Sequence, residues 1–458
     1  MTEVANQVSA SQVGSTPGAE RDFVSFDGGA RARGRWQQPD RYRYWRNVGP
    51  DTPRISRGAG LSYAAASFLK DGLSVSHRLF NRVTDFDSAR NVVEVETGIS
   101  LFALHRFLSA RGLYLPIQPG HGRISVGGCI AADVHGKNQS RDGTFIKQVE
   151  SITLLHPTHG LLELSPQSEP EVFRLTCGGY GLTGHIVRAR LHASPASTEW
   201  VVQRAAQFAS ATNGFEMLRQ ATREADFAYT WHDMASPKAD FGSGYLFWAR
   251  FADEGRTPPA ADAEPPALTA ESRGRWPVSL LNAISARALN REFRRRQKRV
   301  LEGQVLTLQD ALFPAHKAQL YFQLFGHAGF REYQAILPDA EVQNYVDAIQ
   351  SYLHTQPLQI TLSSAKAFAG GSELLRFAGA GICLALDVPA GAAADRFMAF
   401  LDERVMAFGG LPSIIKDSRL PRAVVDACYP EADRFRNALR SFDPKRLFRS
   451  DLSERLGL

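Results

Sequence analysis

Cysteine is scarce in this chain: Cys129, Cys177, Cys383 and Cys428 are the only four in 458 residues. They form no CxxC pair and no metal-ligand spacing. That excludes a disulfide scaffold and a cysteine-held metal, and it points to free thiols in a reducing, cytoplasmic setting. Long apolar runs are also missing. No stretch is long enough to span a bilayer, and the polar first twenty residues exclude an ordinary secretory signal. Charge of one sign does not dominate: 53 Lys and Arg stand against 47 Asp and Glu, a net charge of +6. This balance is too mixed for a dedicated nucleic-acid binder, yet it suits an anionic ligand or an acidic membrane surface. No internal repeat is evident. With 44% hydrophobic and 22% charged residues the chain is globular, and its length allows two or three domains.

Glycine, by contrast, is present in clusters. The stretch 118–138, QPGHGRISVGGCIAADVHGKN, carries Gly120, Gly122, Gly127 and Gly128 and ends in His135-Gly136-Lys137-Asn138. Upstream lies a second loop, Arg57-Gly58-Ala59-Gly60-Leu61-Ser62-Tyr63. Glycine lets a backbone approach a ligand closely and turn its N–H groups toward an anion. Neither loop has the GxGxxG dinucleotide form, so the pair predicts a pyrophosphate cofactor held by two segments.

Periodicity places these loops in an α+β framework. Residues 23–45, dense in arginine and aromatics, read as an irregular arm. Residues 91–98 alternate like a strand, and 101–112 have helical spacing, with Leu101, Leu104, Phe107 and Leu108 on one face. Strands are expected at 151–157, 160–165 and 185–193, with a helix at 170–175. Beyond 196, strands at 245–251, 332–337 and 381–388 alternate with amphipathic helices at 339–354 and 392–408. That pattern predicts an antiparallel sheet with helices on one face. Residues 254–270 form a Pro/Ala-rich loop, and 411–458 a small helical closure with helices at 424–429 and 432–441.

Five ordered stretches carry a family resemblance: SRGAGLSY (56–63), PGHGRISVGGCIAADVHGKN (119–138), GGYGLTG (178–184), IKDSR (415–419) and DPKRLFRSDLSERLGL (443–458). Together they resemble FAD-binding flavoproteins of the vanillyl-alcohol-oxidase type, with an ending in the aldonolactone-oxidoreductase style. More narrowly, the chain is similar to the decaprenylphosphoryl-ribose 2′-oxidases within that family. The resemblance implies a two-domain α+β fold of the PCMH type. A disordered tail would cover 1–20, and an FAD-binding domain 21–195 would be completed by 411–458. A substrate-binding domain built on an antiparallel sheet would be inserted over 196–410.

The resemblance also implies a site. Arg57, Gly58, Ala59, Gly60, Leu61, Ser62 and Tyr63 would wrap the FAD pyrophosphate. Gly120, Ser125, Val126, Gly127 and Gly128 would form the second cradle, and Asn138, Gly184 and Ile186 would also contact the cofactor. Some relatives carry in the first loop a histidine bonded to the flavin. Here that region reads Ala59-Gly60-Leu61, which implies non-covalent FAD. Cys129 reads as a small apolar core residue. His135 falls beside the flavin, where it would bond the cofactor, orient the substrate hydroxyl or take its proton. Lys416 is the sharpest catalytic candidate, because a fixed ammonium near the flavin N1–C2=O edge stabilises the charge that builds there on reduction. Asp417 and Arg419 read as a local ion pair that orients this segment.

Gln334, Lys366, Cys383 and Ala385 would line the substrate pocket, with Gln334 and Lys366 contacting sugar hydroxyls or a phosphate. The wall departs from the relatives' pattern. Counting back from Asp387, Cys383 takes the place of an Asn and Ala385 that of a Cys. Ser413 replaces a flavin-side Tyr, and Glu332 a Gln. The implied function is oxidation of a sugar secondary alcohol to a ketone, at C2 of a polyprenylphosphoryl ribose, in arabinose-donor synthesis with a short-chain reductase as partner. The alternatives are a sugar, aldonolactone or nucleoside oxidase and a flavin-binding protein without turnover. No metal is implied. Residues 276–299 add an expectation of peripheral membrane contact. Leu280, Leu281, Ile284 and Ala288 share an apolar helical face, with Arg291, Arg294, Arg295, Arg296, Lys298 and Arg299 just beyond it.

Overall fold

Alternating side chains build three main sheets in this chain, and residues from each line a common cavity. The computed structural model describes residues 18–42, 49, 51–252, 276–297, 300–315 and 319–458. The Pro/Ala-rich loop at 254–270 lies outside the described residues, as do Lys298 and Arg299. Strands β1 (Ala19–Val24) and β2 (Arg31–Gln37) form an antiparallel hairpin. Strands β3 (Arg54–Arg57) and β4 (Leu73–Ser76) extend it by parallel pairing, in the order β1-β2-β4-β3. The arm expected over 23–45 therefore holds the end of β1 and all of β2 among its described residues, and β1 opens inside the span read as a tail. The overlooked signal is a period of two: Arg31, Arg33 and Arg35 alternate with Ala32, Gly34 and Trp36.

Five further strands form a second sheet: β5 (Val83–Asp87), β6 (Val92–Glu96), β8 (Val149–His156), β9 (Gly160–Leu164) and β10 (His185–His192), in the antiparallel order β5-β6-β10-β8-β9. Between them β7 (Leu113–Tyr114) pairs with β11 (Ser194–Pro195). Helix Leu101–Ser109 starts where the Ser100 side chain accepts from the Ala103 N–H. Its stripe of Leu101, Leu104 and Leu108 is buried against this sheet, and each such leucine contributes about 1.5–3 kcal/mol.

The largest sheet has eight antiparallel strands: β12 (Trp200–Phe208), β13 (Phe227–His232), β14 (Gly244–Phe251), β15 (Gln304–Thr307), β16 (Phe330–Leu337), β17 (Leu362–Phe368), β18 (Gly381–Pro389) and β19 (Leu411–Pro412). Their order is β15-β12-β14-β13-β17-β18-β16-β19. Along β18, Ile382, Leu384, Leu386 and Val388 pack under helices Ala211–Ala221, Val342–Thr355 and Ala392–Ala407. Cys383, Ala385 and Asp387 take the opposite face. Helix Ala283–Gln297 also lies on that opposite face, where Phe293 meets Trp231 and Phe247.

This helix corrects the apolar and basic stripe expected over 276–299. It begins only at Ala283, so Leu280 and Leu281 precede it. Leu281 is 5% exposed, packed with Phe26, Phe325 and Phe330, while Ile284 is 81% exposed. Arg294 turns inward to Asp233 at 3.1 Å, and Arg295 and Arg296 both pair with Glu292 at 2.8 Å. Among the described residues no helix is long and apolar enough to cross a membrane.

The C-terminal segment ties the sheets together. From β19 on the edge of the large sheet, beside β16, the chain runs back to the first sheet. The Arg54 N–H donates to the Leu447 carbonyl, the Arg449 N–H donates to the Arg54 carbonyl, and Phe448 bridges to Arg54. Helices Arg422–Cys428, Ala432–Phe442 and Asp451–Leu456 bury Val425, Leu439 and Leu452 against Ile55, Tyr180 and Leu182. Phe448 is fully buried and packs on His185. Phe448→Ala is expected to cost about 3–5 kcal/mol of stability. Thermal melting reads this, and an unchanged midpoint would show that the return of the chain does not depend on it.

Candidate active site

The glycine loops and the free face of the large sheet enclose a cavity of about 430 Å³. Gly58, Ala59, Gly60, Leu61, Ser62 and Tyr63, the turn after β3, form one wall. Gly120, Ser125, Gly127 and Gly128 form the next, joined by Gly184 and Ile186 at the start of β10. The two loops meet at Gly58: a Cβ there would lie 2.1 Å from Ser125 Oγ, so only glycine fits. Gly60 has φ +73, in the left-handed region that glycine adopts without strain. Among the described residues the N–H groups of Gly58, Ala59, Gly60, Leu61 and Ser62 donate to no protein acceptor. They line a cradle with small side chains, which fits a pyrophosphate.

The second loop works differently from the expectation. Ser125 caps helix Val126–Ala132, accepting from the Gly128 N–H. The Val126 and Gly127 N–H groups donate to the carbonyls of Ile99 and Thr97, so they are not free for an anion. Gly127 is small because a Cβ would lie 3.1 Å from the Thr97 side chain. At Val126 and Gly127 this loop supplies shape rather than donors. Three expected contacts stand outside the wall: Val126 is in the core, Arg57 donates to Ser67 Oγ beneath the loop, and Asn138 bonds Pro116 and Asp142.

His135 is placed by Asp133, a left-handed residue (φ +43) that ends the helix. The Asp133 carboxylate accepts from the Thr144 hydroxyl and the Ile146 N–H, both at 2.8 Å. The His135 Nδ1 lies 3.2 Å from the Gly136 carbonyl, its Nε2 lies 3.5 Å from the Gln334 amide, and Phe368 packs edge-on against the ring. Burial, then the Lys366 charge, holds this imidazole well below its ordinary range. A ring so weakly basic suits an orienting acceptor better than a proton-taking base. Lys137, next in the tetrad, points away: its ammonium caps the Ala311 carbonyl, and burial lowers it to about 7.

Lys416 ends the short turn Ile414–Lys416, which the Ser413 N–H fastens to the Gln334 carbonyl at 2.7 Å. Its ammonium lies 4.2 Å from the Tyr63 ring centre and 3.2 Å from Glu332 Oε1. Asp417 and Arg419 pair at 2.8 Å, with Arg419 also bound to Asp402 at 2.6 Å. Lys366, Gln334 and Ala385 face the cavity from β17, β16 and β18. Lys366 makes no ion pair among the described residues, and burial lowers its pKa. Cys383 stands behind this wall with Phe368 and Phe377, accepts from the Gln334 amide at 3.2 Å, and has a thiol pushed up to about 12 by burial.

Sequence reasoning placed no role on Asp387, Tyr321 or His77. Asp387 and Glu332 were recoverable by alternation, two residues from Ala385 and Gln334, which the resemblance had already put on the pocket wall. Tyr321 lies on a single short helix, Gln319–Gln323, and carries no sequence signal. His77 lines the glycine end of the cavity, buried against His185.

The meeting of the loops yields a prediction. Gly58→Ala is expected to weaken FAD retention about 5- to 150-fold, since a clash of this kind costs about 1–3 kcal/mol. Ser125→Gly in the same chain should restore part of it, because removing the hydroxyl costs the cap only tenths of a kcal/mol. FAD freed by acid precipitation, counted per protein, reads the effect. Full FAD content in Gly58→Ala alone would show that the loops do not close on the cofactor.

A family model described as an FAD binding domain matches residues 50–165, the span that holds both glycine loops. The decaprenylphosphoryl-beta-D-ribose oxidase of Mycolicibacterium smegmatis is 29% identical over 88% of this chain and 89% of its own length. D-arabinono-1,4-lactone oxidase of Eremothecium gossypii is 34% identical over 28% of this chain and 24% of its own. L-gulonolactone oxidase of Bos taurus is 32% identical over 27% of this chain and 28% of its own. The unbonded N–H groups of the first loop, the glycine contact with Ser125 and these matches agree. Residues 50–165 match an FAD binding domain, and the chain is an FAD-dependent oxidoreductase acting on CH–OH groups, similar to FAD-binding oxidases of the vanillyl-alcohol-oxidase type.

Proposed function

We propose that this enzyme oxidises the C2 hydroxyl of a polyprenylphosphoryl ribose to a ketone, a step toward an arabinose donor that a separate short-chain reductase would complete. The observation that carries the reading is Lys366. A buried ammonium on the cavity wall with no ion pair among the described residues is costly unless a ligand supplies the anion, and a sugar phosphate does. The match to the mycobacterial oxidase over most of both chains supports the same substrate class. In this reading 21–195 and 411–458 hold FAD, non-covalently, and 196–410 supply the substrate wall. Bound FAD supplies the hydride acceptor. Tyr63 and Lys416 flank it, His135 and Gln334 orient the sugar hydroxyls, and Lys366 takes the phosphate.

A second reading, an aldonolactone or free-sugar oxidase, is favoured by the altered wall. Ala385 and Ser413 leave it smaller than the relatives' pattern, and the lactone oxidases match the FAD region. Anaerobic flavin bleaching with polyprenylphosphoryl ribose, free pentoses, aldonolactones and nucleosides separates the two. The phosphoryl ribose is expected to bleach fastest, and Lys416→Ala to retain FAD while slowing bleaching ~10²–10³-fold. Bleaching by a lactone and not by the phosphoryl ribose would favour the second reading. A Lys416→Ala variant as fast as wild type would remove its catalytic role. Colour left in an acid precipitate would overturn non-covalent binding.

A lipid-linked substrate calls for access to a membrane surface. Trp276, Val278, Ile284 and Leu289 are exposed on and just before helix Ala283–Gln297, and they form the apolar patch this reading assigns to peripheral contact. Flotation with anionic liposomes is expected to carry the protein at low salt. Replacing Ile284 and Leu289 by Ser should abolish it, and equal flotation of that variant would remove the patch from the account.

A further inference from the structure

Glu332 and Asp387 stand directly opposite each other on the paired strands β16 and β18. Both line the cavity, and Asp387 is only 3% exposed. Two carboxylates face to face across a strand pair repel. A buried pair relieves the repulsion by keeping one proton between its members. The surroundings decide which carboxyl holds it. The Lys416 ammonium lies 3.2 Å from Glu332 Oε1 and 3.4 Å from its Oε2, which favours a carboxylate there. Asp387 has no cation within ion-pair reach among the described residues; the Tyr321 hydroxyl donates to its Oδ2 at 3.0 Å. Lys366 on β17 and the Cys383 thiol on β18 are the other titratable groups that act on the pair. Burial, then the Glu332 charge, holds Asp387 well above the usual carboxyl range.

We propose that Glu332 is the general base of the oxidation, and that Asp387 positions it by holding the pair's shared proton against one of its oxygens. This rests on the cavity being the site of alcohol oxidation proposed above, and it names the group that takes the proton. As the substrate C–H bond breaks, its electron pair leaves as hydride to the bound flavin, the oxidant of the established activity. The O–H bond breaks toward Glu332, which takes the proton, and the C=O double bond forms. Protonation of Glu332 also removes the partner of Lys416. The ammonium is thereby released from its ion pair at the moment when negative charge grows in the cavity. A glutamine at this position would hold the hydroxyl but accept no proton, so the residue that departs from the family pattern is the one assigned the base.

Two variants test this, one without turnover. Asp387 has its pKa raised by folding, so its stabilising contribution is complete below the ordinary carboxyl range and is lost as pH rises through the raised value. Asp387→Asn cannot lose that proton. The melting midpoint of the FAD-loaded variant is therefore expected to gain on wild type as pH rises from about 5 to about 9. A constant difference across that range would overturn the shared proton. Glu332→Gln should retain FAD and substrate binding but slow anaerobic flavin reduction ~10²–10⁴-fold, and it should lack the rise of rate with pH that a carboxylate base produces. Reduction at wild-type speed with the wild-type pH profile would overturn the base. The substrate in this arm is whichever alcohol bleaches the wild-type flavin. An error in the ribose reading therefore appears as a different best substrate, and an error here as an unaffected Glu332→Gln.

Discussion

The pairing of the C-terminal segment with β3 is the contact on which the site depends. Arg54 accepts Arg449 and donates to Leu447 through its backbone, while its buried guanidinium donates to the carbonyls of Thr52 and Gly49. A buried cation without such acceptors would be strongly destabilising. Lys416 lies on the stretch that leaves the large sheet at β19 and reaches this anchor. Its distance from Tyr63, on the glycine loop, is therefore set by two attachments: Ser413 to Gln334 on one side, and the helices packed over Ile55 on the other. Loosening either would separate the cavity's cation from the loop that cradles the cofactor.

The cavity is electrically divided. At the glycine end, the charge available to a ligand comes from backbone dipoles, the unbonded N–H groups of Gly58 through Ser62. These are preorganised and need no counter-charge. At the sheet end, titratable side chains crowd together: Lys416 and Lys366 with Glu332 and Asp387. Charges this sheltered are tolerable only in compensated arrangements. The Lys416–Glu332 pair and the raised Asp387 are two such solutions. Lys366 is the third case, a buried lysine with no ion pair among the described residues, whose pKa burial lowers. The neutral state of His135 follows from the same crowding, since two ammonium groups and burial all oppose its protonation.

Much of this was legible in the residues. The pattern along 332–337 and 381–388 predicted both strands, β16 and β18, while the resemblance implied that Gln334 and Ala385 line the pocket. The 3.6-residue stripes of Leu101–Ser109 and Ala392–Ala407 predicted helices on the sheets they cover. Less was legible where polar residues carry the structure. The arginine-rich strand β2 was read as irregular because its alternation lacks an apolar face. The stripe over 276–299 looked continuous because the sequence does not show where the helix starts or that Asp233 and Glu292 claim its arginines.

The glycines of the first loop, the absence of a histidine among Ala59, Gly60 and Leu61, and the order of the five motifs were determined by sequence alone. Backbone conformation and side-chain size are local properties. Only the tertiary structure decided which donors remain free. Val126 and Gly127 look like cradle residues until Ile99 and Thr97 are seen accepting from them. It also decided that Gly58 abuts Ser125, that Cys383 turns behind the wall, and that Glu332 faces Asp387 beside Lys416. Those depend on strand register and on the return of a distant segment, and burial, hydrogen-bond satisfaction and charge coupling exist only once residues far apart in the chain have met.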